Sequence, residues 1–342
     1  MLAPFVTELD KLAPSVDLRG DQIQILKTPS DFYETLKERI RNAKSRIFLS
    51  TLYIGKSERE LIETLQEALR RNPELKLSIL TDCLRGTREA PNASCASLLA
   101  PLVTEFGADR VEIRMYHTPN LTGLREKYIP KRINEGWGLQ HMKLYGVDDE
   151  IIMSGANLST DYFTNRQDRY HLFKSKQVTD HFWNIHNGVS SFSFLSPGVS
   201  GLLPDAYTLL AKRFVHAAHH RGRGADITLR EWRSGTVGQP GGWTYHAKGL
   251  WVAMPGDAAA GPSMSVIGSS NYTKRSYSHD LEVGALIVTR DAGLKSRLKG
   301  EQEWLQEHAR TMTREDFSTN ERRVGLKVRI AMWIVSLVGG AL

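Results

Sequence analysis

Two stretches of the 342-residue chain carry the same five features in the same order, and this repeat constrains the fold more than any other property of the sequence. Each stretch has a His-x-Lys motif beginning a predicted strand, a second predicted strand, a small turn ending in asparagine, an acidic residue eleven positions later, and an apolar strand after the acid. Such an internal repeat predicts two related halves. The repeated residues are His141, Lys143, Asn157 and Asp168 in the first copy, and His246, Lys248, Asn271 and Glu282 in the second.

The segment before the first copy alternates between helical and strand patterns. Apolar residues at helical spacing predict a helix over residues 31–43, and residues 46–54 form a mostly apolar strand pattern. Residues 57–60 have the pattern of a capping box at the start of the next helix. Alternating apolar residues predict further strands at 75–79 and 111–115. Helices alternating with strands predict an α/β sandwich with a largely parallel or mixed sheet.

The segment that precedes the His-x-Lys motif is shorter in the second half than in the first. It offers one predicted helix, residues 204–219, and one predicted strand, residues 226–232, ahead of His246. Because a sheet without its opening strands would leave an unpaired edge, we hypothesise that native residues are missing near 190–200. The predicted organisation is an N-terminal extension (1–30), a first half (31–192), a second half (193–320) and a C-terminal tail (321–342).

The repeated side chains suit the transfer of a phosphorus-linked group. A neutral imidazole can attack phosphorus and form a covalent intermediate, while a second imidazole moves protons to the leaving group and from the incoming hydroxyl. Each histidine needs an acceptor on its other ring nitrogen, for which Asp168 and Glu282 are the candidates. No metal-ligand spacing is present, so we predict neither a metal nor another cofactor. The groups predicted to contact the phosphoryl oxygens are Lys143, Lys248, Asn157, Asn271 and Ser269.

These motifs resemble those of a known family. The first His-x-Lys motif, with Asp148, fits the HxKxxxxD signature of the phospholipase D superfamily, and the second is similar to another copy. Asp148 lies past the strand and is expected to support structure rather than chemistry. More narrowly, the chain resembles eukaryotic phosphatidylglycerophosphate synthases from about Ile25 onward, a family similar in having an HxKGxW second motif with no aspartate, where this chain has Ala253. The strings that carry the resemblance are GLQHMK (138–143), SGANLS (154–159), YFTNRQDRY (162–170), WTYHAKGLW (243–251) and residues 275–282.

The resemblance implies two pseudo-symmetric α-β-α sandwich halves with the active site between them. It also implies transfer of a phosphatidyl group from CDP-diacylglycerol to glycerol 3-phosphate, with release of CMP. His141 is then expected to be the nucleophile, and His246 the acid that protonates CMP and the base that activates the acceptor, although exchange of the two roles stays open. Related two-motif enzymes take the orienting acid from the opposite half. Glu282 is therefore expected beside His141, and Asp168 beside the other histidine.

Substrate binding is assigned to loops that follow strands and to arginines near the catalytic turns. Loops after strands are where α/β sheets present ligands, and arginine can bind a phosphate bidentately. For any one of these arginines, pairing with a nearby acid is an equally good interpretation. The candidates are Arg85, Arg88, His117, Arg166 and Arg275.

The charge of the chain favours anionic partners. Its formal net charge is +7 and its pI is about 9.3. A basic cluster before an apolar run at 330–342 predicts that the tail contacts an anionic membrane surface. Because no aromatic–basic stripe is evident, nucleic acid is not an expected partner. The resemblance implies a peripheral protein on the matrix face of the mitochondrial inner membrane.

Three alternative functions remain open from the sequence. A phospholipase or nuclease of the same superfamily would release the covalent intermediate to water. A serine-accepting phosphatidyltransferase would use the same first step with a different acceptor. A catalytically inactive lipid-binding or scaffold protein is motivated by Ala253, which replaces the signature aspartate of the second motif.

Overall fold

The structure is a computed structural model that describes most of the chain. The predicted tail at 321–342 and the junction at 192–202 lie outside the described residues, so the membrane contact and the missing native segment stay predictions. Within the described ranges, no helix is both long and apolar enough to cross a membrane. The described residues are 2–90, 92–119, 121, 134–135, 138–191, 203–256, 259–313 and 315–318.

The described strands form two main sheets and two short pairs. In chain order they are β1 (Ile23–Leu26), β2 (Arg46–Ser50), β3 (Lys76–Asp82), β4 (Val111–Tyr116), β5 (Leu144–Val147), β6 (Glu150–Ser154), β7 (Arg166–Gln167), β8 (Tyr170–Lys174), β9 (Arg230–Trp232), β10 (Thr244–Tyr245), β11 (Leu250–Val252), β12 (Met264–Gly268), β13 (Gly284–Val288) and β14 (Ala309–Thr311). The large sheet has the order β1-β8-β6-β5-β2-β3-β4, and the small sheet the order β11-β12-β13. β10 pairs with β7, and β14 pairs with β9.

Six of the described helices begin at a residue whose side chain caps the helix. In chain order the described helices are α1 (Leu2–Leu9), α2 (Pro29–Arg41), α3 (Arg59–Arg71), α4 (Cys83–Gly86), α5 (Cys95–Phe106), α6 (Thr160–Thr164), α7 (Lys176–Ser190), α8 (Leu203–His220), α9 (Lys274–Ser278) and α10 (Ala292–Gln306). The six capped helices are α2, α4, α5, α7, α9 and α10. For α2, the Thr28 side chain accepts a hydrogen bond from the N–H of Asp31, and Pro29 occupies the first turn. That cap explains why α2 starts two residues before the predicted helix.

Helices α2, α3 and α5 cover one face of the large sheet. Their apolar stripes, including Phe32, Leu36 and Leu65, are fully buried in one cluster with Ile47 and Ile79 of the central strands. β2, β3 and β4 run parallel, while β2 pairs with β5, and β5 with β6, in antiparallel fashion. The prediction of a mixed α/β sheet is therefore confirmed.

The second half packs against the opposite face of the large sheet. Because side chains alternate along β2, Phe48 is buried on this side, in one cluster with Ile267 of β12 and Leu298 of α10. β11, β12 and β13 correspond to β5, β6 and β8, as the repeat predicts. Within the described residues, the sheet of the second half has three strands where that of the first half has seven.

Several predicted boundaries were wrong. β2 ends at Ser50 rather than at residue 54, and β9 is shorter than the predicted 226–232 because residues Gly224–Asp226 form a 3₁₀ turn. The His-x-Lys motifs precede β5 and β11 instead of beginning them. Residues 1–30 are not a separate extension, because β1 pairs with β8 at the edge of the large sheet.

The capping box predicted at residues 57–60 is also absent. α3 begins at Arg59, and Glu58 occupies the N-cap position without a side-chain capping bond. The Glu58 carboxylate instead accepts hydrogen bonds from the backbone N–H and the hydroxyl of Thr160, both at 2.8 Å. The Glu58 side chain therefore makes a long-range contact instead of a local cap, and this contact links α3 to the turn after Asn157.

Asp148 hydrogen-bonds to the backbone of the segment that enters β2. Its carboxylate accepts hydrogen bonds from the backbone N–H groups of Lys44 and Ser45, each at 2.8 Å, and of Arg46 at 3.2 Å. Burial raises the pKa of Asp148, but these backbone donors outweigh burial and hold the pKa below its usual value. The carboxylate thereby joins the loop after β5 to the segment that enters β2.

We expect Asp148→Ala to lower the free energy of unfolding by about 2 kcal/mol at pH 7, because three backbone N–H groups lose a charged acceptor. A depressed carboxyl pKa stabilises the fold above the unfolded pKa, and that contribution is lost as the pH falls through the folded pKa. Urea denaturation at several pH values should therefore show the difference from wild type shrinking below about pH 4. Asp149→Ala is the control, because Asp149 is exposed, and an equal loss in that variant would contradict this role.

Candidate active site

Backbone hydrogen bonds between the halves place the two His-x-Lys motifs. The N–H of His141 donates to the carbonyl of Leu281 at 2.9 Å, and the N–H of His246 donates to the carbonyl of Gln167 at 2.8 Å. Leu281 immediately precedes Glu282, and Gln167 immediately precedes the acid of the first half. Each histidine is thus aligned with the acidic residue of the other half by the same backbone contact.

The two histidine–carboxylate pairs cross between the halves, as predicted. Nδ1 of His141 lies 3.0 Å from Oε1 of Glu282, and Nδ1 of His246 lies 2.7 Å from Oδ2 of Asp168. His141 is 8% exposed and Asp168 is 1% exposed, so these pairs are shielded from solvent. Because each pair needs both halves, neither half alone contains a complete pair.

Both lysines are buried beside their own histidines. Nζ of Lys143 donates to the carbonyl of His141 at 2.7 Å, and Nζ of Lys248 donates to the carbonyl of His246 at 2.9 Å. Nζ of Lys248 also lies 3.8 Å from Oδ2 of Asp168. Both lysine side chains are therefore held next to the imidazoles, where their amino groups could contact an anionic group bound between the histidines.

Burial keeps both imidazoles neutral in the substrate-free site. Burial, together with the charge of Lys143, lowers the pKa of His141 to about 3. Burial and the charge of Lys248 likewise lower the pKa of His246 to about 4. A neutral imidazole is the form that can attack phosphorus or take a proton from a hydroxyl.

The lysines and carboxylates also respond to this environment. Burial lowers the pKa of Lys248 to about 8 and that of Lys143 well below its usual value. Burial raises the pKa of Asp168, but Lys248 and the bonded histidine hold it below its usual value. Burial also raises the pKa of Glu282, but the hydrogen bond from His141 holds that pKa below its usual value. Both carboxylates are therefore ionised and can orient their histidines.

Ser269 contacts the orienting acid, and this bond was not predicted. Its hydroxyl donates to Oε2 of Glu282 at 2.5 Å, so in the structure it holds Glu282 beside His141. The counterpart of Ser269 in the first half is Gly155. A Cβ at Gly155 would lie 2.9 Å from the Asp168 carboxylate and 3.0 Å from Nζ of Lys248, so a side chain there would crowd the site.

The two repeated asparagines differ. Nδ2 of Asn157 donates to the hydroxyl of Tyr162 at 3.2 Å, and its buried Oδ1 has no hydrogen-bond partner among the described residues. Asn271 is exposed, and its backbone N–H donates to the hydroxyl of Ser276. The Asn157 side chain is thus buried within the site, whereas Asn271 is exposed to solvent.

All four predicted substrate-binding arginines have acidic partners, including Arg166, which pairs with Asp161. Arg85 and Arg88 both pair with Glu135, Arg85 at 3.4 Å, and they line a cavity of about 370 Å³. Arg275 lies 3.0 Å from Asp280, whose carboxylate also accepts from the backbone N–H of Leu139 at 2.9 Å. Pairing with a nearby acid, the alternative interpretation, therefore describes all four arginines in the structure.

Arg166 is closer to the chemistry. Its guanidinium lies 4.5 Å from the ring centroid of Tyr162 and 3.2 Å from Asp161, and its charge contributes to lowering the pKa of His246. Its buried Nε has no hydrogen-bond partner within the described ranges. His117 is half-buried, and its Nε2 also lacks a hydrogen bond to the described part of the chain.

Comparison with known proteins identifies the family. A Saccharomyces cerevisiae protein named CDP-diacylglycerol–glycerol-3-phosphate 3-phosphatidyltransferase is 35% identical over 458 residues, which cover 93% of this chain and 88% of that protein. The chain belongs to this phosphatidyltransferase family. A Schizosaccharomyces pombe relative of the same name is 55% identical over 188 residues, 55% of this chain and 37% of that protein. The human relative, whose name adds "mitochondrial", is 26% identical over 93% of this chain and 83% of its own length.

Two further comparisons concern the fold of this phosphatidyltransferase. A family model described as "Cardiolipin synthase, PLD-like domain" matches residues 36–188. The crystal structure of phosphatidylserine synthase from Haemophilus influenzae Rd KW20 matches with a TM-score of 0.71 at 17% identity, over 95% of this chain and 94% of that one. The phospholipase D-like fold with two related halves is therefore confirmed.

The phosphatidyltransferase has a buried ion pair between its halves that sequence reasoning missed. Arg169 binds Glu301 with two hydrogen bonds, at 3.0 and 2.7 Å, and donates to the carbonyl of Val266 at 2.6 Å. Its guanidinium lies 4.0 Å from the ring centroid of Trp251. A Cβ at Gly249 would lie 1.8 Å from Nη1 of Arg169. The glycine and tryptophan of the HxKGxW motif are thus explained by this arginine.

Proposed function

We propose that the protein transfers the phosphatidyl group of CDP-diacylglycerol to glycerol 3-phosphate and releases CMP. The observation that carries the proposal is the pair of buried histidines, each oriented by a carboxylate of the opposite half, at 3.0 and 2.7 Å. Such a site suits a covalent double displacement, because one histidine can attack while the other moves protons. Membership of the phosphatidyltransferase family supports this choice of substrates.

In the first step, Nε2 of His141 attacks the phosphatidyl phosphorus, and the bond from phosphorus to the CMP oxygen breaks. Glu282 holds the Nδ1 proton of His141 and stabilises the positive charge that develops on the ring. The negative charge of the bound pyrophosphate raises the pKa of His246, so that this residue can give a proton to CMP.

In the second step, a hydroxyl of glycerol 3-phosphate attacks the phosphatidyl-histidine. His246 takes the hydroxyl proton, and the bond from phosphorus to His141 breaks. Lys143 and Lys248 stabilise the phosphoryl oxygens in both steps. At about 4 Å and an effective dielectric of about 20, one such charge pair is worth about 4 kcal/mol.

Arg166 is the best placed of the predicted arginines to bind the phosphate of the acceptor. It is partly exposed and lies beside the Tyr162–His246 contact, and its buried Nε has no hydrogen-bond partner in the part of the chain that the structure describes. A bound phosphate would compete with Asp161 for its guanidinium. Arginine can bind a phosphate with two parallel hydrogen bonds, which suits glycerol 3-phosphate. The cavity beside Arg85 and Arg88 is a second candidate for a phosphate, in which the substrate would compete with Glu135.

The cellular setting is proposed on the same basis. Vertebrate relatives whose names include "mitochondrial" support action in mitochondria. We further propose peripheral attachment to the matrix face of the inner membrane through the basic and apolar tail at 321–342, since the donor substrate carries two acyl chains.

We also propose that a native segment is missing near residues 190–200. The three-stranded sheet of the second half supports this, since its counterpart has seven strands. The alignment with the S. cerevisiae relative runs over 458 residues, more than the 342 of this chain, so that relative has residues without a counterpart here. An uninterrupted native gene that encodes this same junction would contradict the proposal.

The proposed reaction predicts CMP release that depends on the acceptor. With CDP-diacylglycerol in mixed micelles, we expect steady turnover with glycerol 3-phosphate and only a burst of about one equivalent of CMP without it, because water is a poor acceptor in a buried site. Release at the same rate without acceptor would indicate a hydrolase. Turnover with serine but not glycerol 3-phosphate would indicate a serine-accepting enzyme, and background release with lipid binding intact would indicate an inactive lipid-binding protein.

A further inference from the structure

The two catalytic histidines differ in their surroundings, because Tyr162 contacts only His246 of the two. Its hydroxyl lies 3.2 Å from Nε2 of His246, and its ring meets the imidazole edge-on, with centroids 5.1 Å apart. The corresponding position of the second half, five residues after Asn271, is Ser276, whose hydroxyl accepts a hydrogen bond from the backbone N–H of that asparagine. Among the residues that the structure describes, none hydrogen-bonds Nε2 of His141, whose contacts are made by Nδ1.

The direction of the tyrosine hydrogen bond follows from the other contacts of the ring. Nδ1 of His246 donates to Asp168, so Nε2 of the neutral imidazole carries the lone pair. Nζ of Lys248 lies 3.0 Å from this Nε2, so two potential donors, the lysine ammonium and the tyrosine hydroxyl, face the lone pair. The hydroxyl of Tyr162 therefore donates to Nε2, while its oxygen accepts from Nδ2 of Asn157 at 3.2 Å. Tyr162 is 2% exposed, and the guanidinium of Arg166 packs on its ring, so the hydroxyl is held in place.

We propose that the hydrogen bond from Tyr162 to Nε2 restricts His246 to proton transfer and thereby leaves His141 as the nucleophile, an inference that rests on the proposed function. A lone pair that accepts a hydrogen bond from a buried hydroxyl is less available for attack on phosphorus than a free one. Both copies of the repeat have a histidine, a lysine and an asparagine, but their surroundings differ. The Tyr162 hydroxyl and Nζ of Lys248 face Nε2 of His246 at 3.2 and 3.0 Å, whereas within the described residues no side chain hydrogen-bonds Nε2 of His141. Tyr162 acts through His246 and is therefore a positioning residue.

The Asn157 side chain allows the Tyr162 hydroxyl to hydrogen-bond His246 both when the imidazole is neutral and when it is protonated. In the acceptor step the hydroxyl proton of the acceptor moves to Nε2 of His246, the acceptor oxygen bonds to phosphorus, and the bond from phosphorus to His141 breaks, returning its electron pair to that nitrogen. The protonated Nε2 then donates to the tyrosine oxygen, so the tyrosine hydrogen needs a new acceptor. The buried Oδ1 of Asn157, which has no partner in the described chain, is presented to it by a half-turn of the amide.

The first test measures the pKa of His246 in the full chain without substrate, by NMR of histidine labelled with ¹⁵N. Four groups face this ring, namely Asp168, Lys248, Arg166 and Tyr162. A hydrogen bond donated to the neutral ring disfavours protonation, so its removal in Tyr162→Phe should raise the pKa of His246 by roughly half a unit to one unit. An unchanged or lower pKa would overturn the inference.

Tyr145→Phe is the matched control for the titration. It also removes one buried tyrosine hydroxyl, which donates to the carbonyl of Ala156 at 2.5 Å and has no hydrogen bond to either histidine. We expect this variant to lose stability but to leave the pKa of His246 unchanged. An equal pKa rise in both tyrosine variants would assign the shift to loosened packing and would overturn the inference.

The second test separates the two chemical steps. For Tyr162→Phe we expect the CMP burst without acceptor to stay within about threefold of wild type, and turnover with glycerol 3-phosphate to fall roughly 10- to 100-fold, with its rising pH limb displaced to higher pH. Equal losses in burst and turnover would overturn the inference, because they would indicate a structural role. Absence of acceptor-dependent release from wild type would contradict the proposed function instead, since the NMR titration needs no substrate.

Discussion

The His141→Ala variant is expected to lose CMP release by about 10⁴-fold or more, because it removes the atom that bonds to phosphorus. His141 is the histidine whose Nε2 makes no hydrogen bond to the described residues, while Glu282 holds its other nitrogen at 3.0 Å. Both the burst without acceptor and the turnover with glycerol 3-phosphate should disappear. CMP release is followed by chromatography of single-turnover and steady-state samples.

Two further variants make this result specific. His220→Ala removes an exposed histidine at the end of α8 and should retain full activity. His246→Ala should form the covalent intermediate slowly and pass it to the acceptor even more slowly, because the proton-transfer residue is missing. If His141→Ala, with an unchanged unfolding transition, kept more than about a tenth of the wild-type burst, another nucleophile would be required.

Arg169→Ala is expected to lower the free energy of unfolding by about 3–5 kcal/mol, because it breaks a buried ion pair. The arginine side chain is 0% exposed and its partner Glu301 is 5% exposed, so the substitution leaves a buried carboxylate without its main cation. The site should also lose activity, since Arg169 contacts the carbonyl of Lys248 at 3.4 Å and the ring of Trp251. Urea denaturation gives the stability, and CMP release gives the activity.

The control for this prediction is an exposed pair of the same chemistry. Arg70 lies 2.6 Å from Glu105 on the surface, and Arg70→Ala should change the unfolding free energy by less than about 1 kcal/mol. The combined Arg169→Met and Glu301→Leu variant should be less destabilised than the sum of its two single variants, because it removes both buried charges. Additive losses would contradict the view that the two side chains act as one pair.

The residues of the candidate active site were predictable because they recur. His141 and His246, each with its lysine and its acid, could be found from equal spacings without any structure. The crossed pairing of acids and histidines came from the resemblance, and the structure gives its physical reason. The backbone at each His-x-Lys motif pairs with the short segment that immediately precedes the acid of the other half, as β10 pairs with β7. The acid that follows this segment therefore lies beside the histidine.

The contacts that distinguish the halves could not be predicted, because they have no counterpart in the repeat. Tyr162 corresponds to Ser276, and Arg169 pairs with Glu301 across 132 positions of sequence. The candidate arginines illustrate a second limit. A sequence shows that Arg275 and Asp280 are near one another, but only the fold shows that Arg166 lies beside the catalytic histidine.

The most direct test of the central claim is the stereochemical course at phosphorus. A CDP-diacylglycerol with sulfur in place of one non-bridging oxygen on the reacting phosphorus, in one defined configuration, would be converted by the wild-type enzyme with glycerol 3-phosphate. Transfer through His141 involves two in-line displacements, each of which inverts the centre, so the account predicts a product with retained configuration. Inversion would mean that the acceptor attacks CDP-diacylglycerol directly, and it would contradict the phosphatidyl-histidine intermediate.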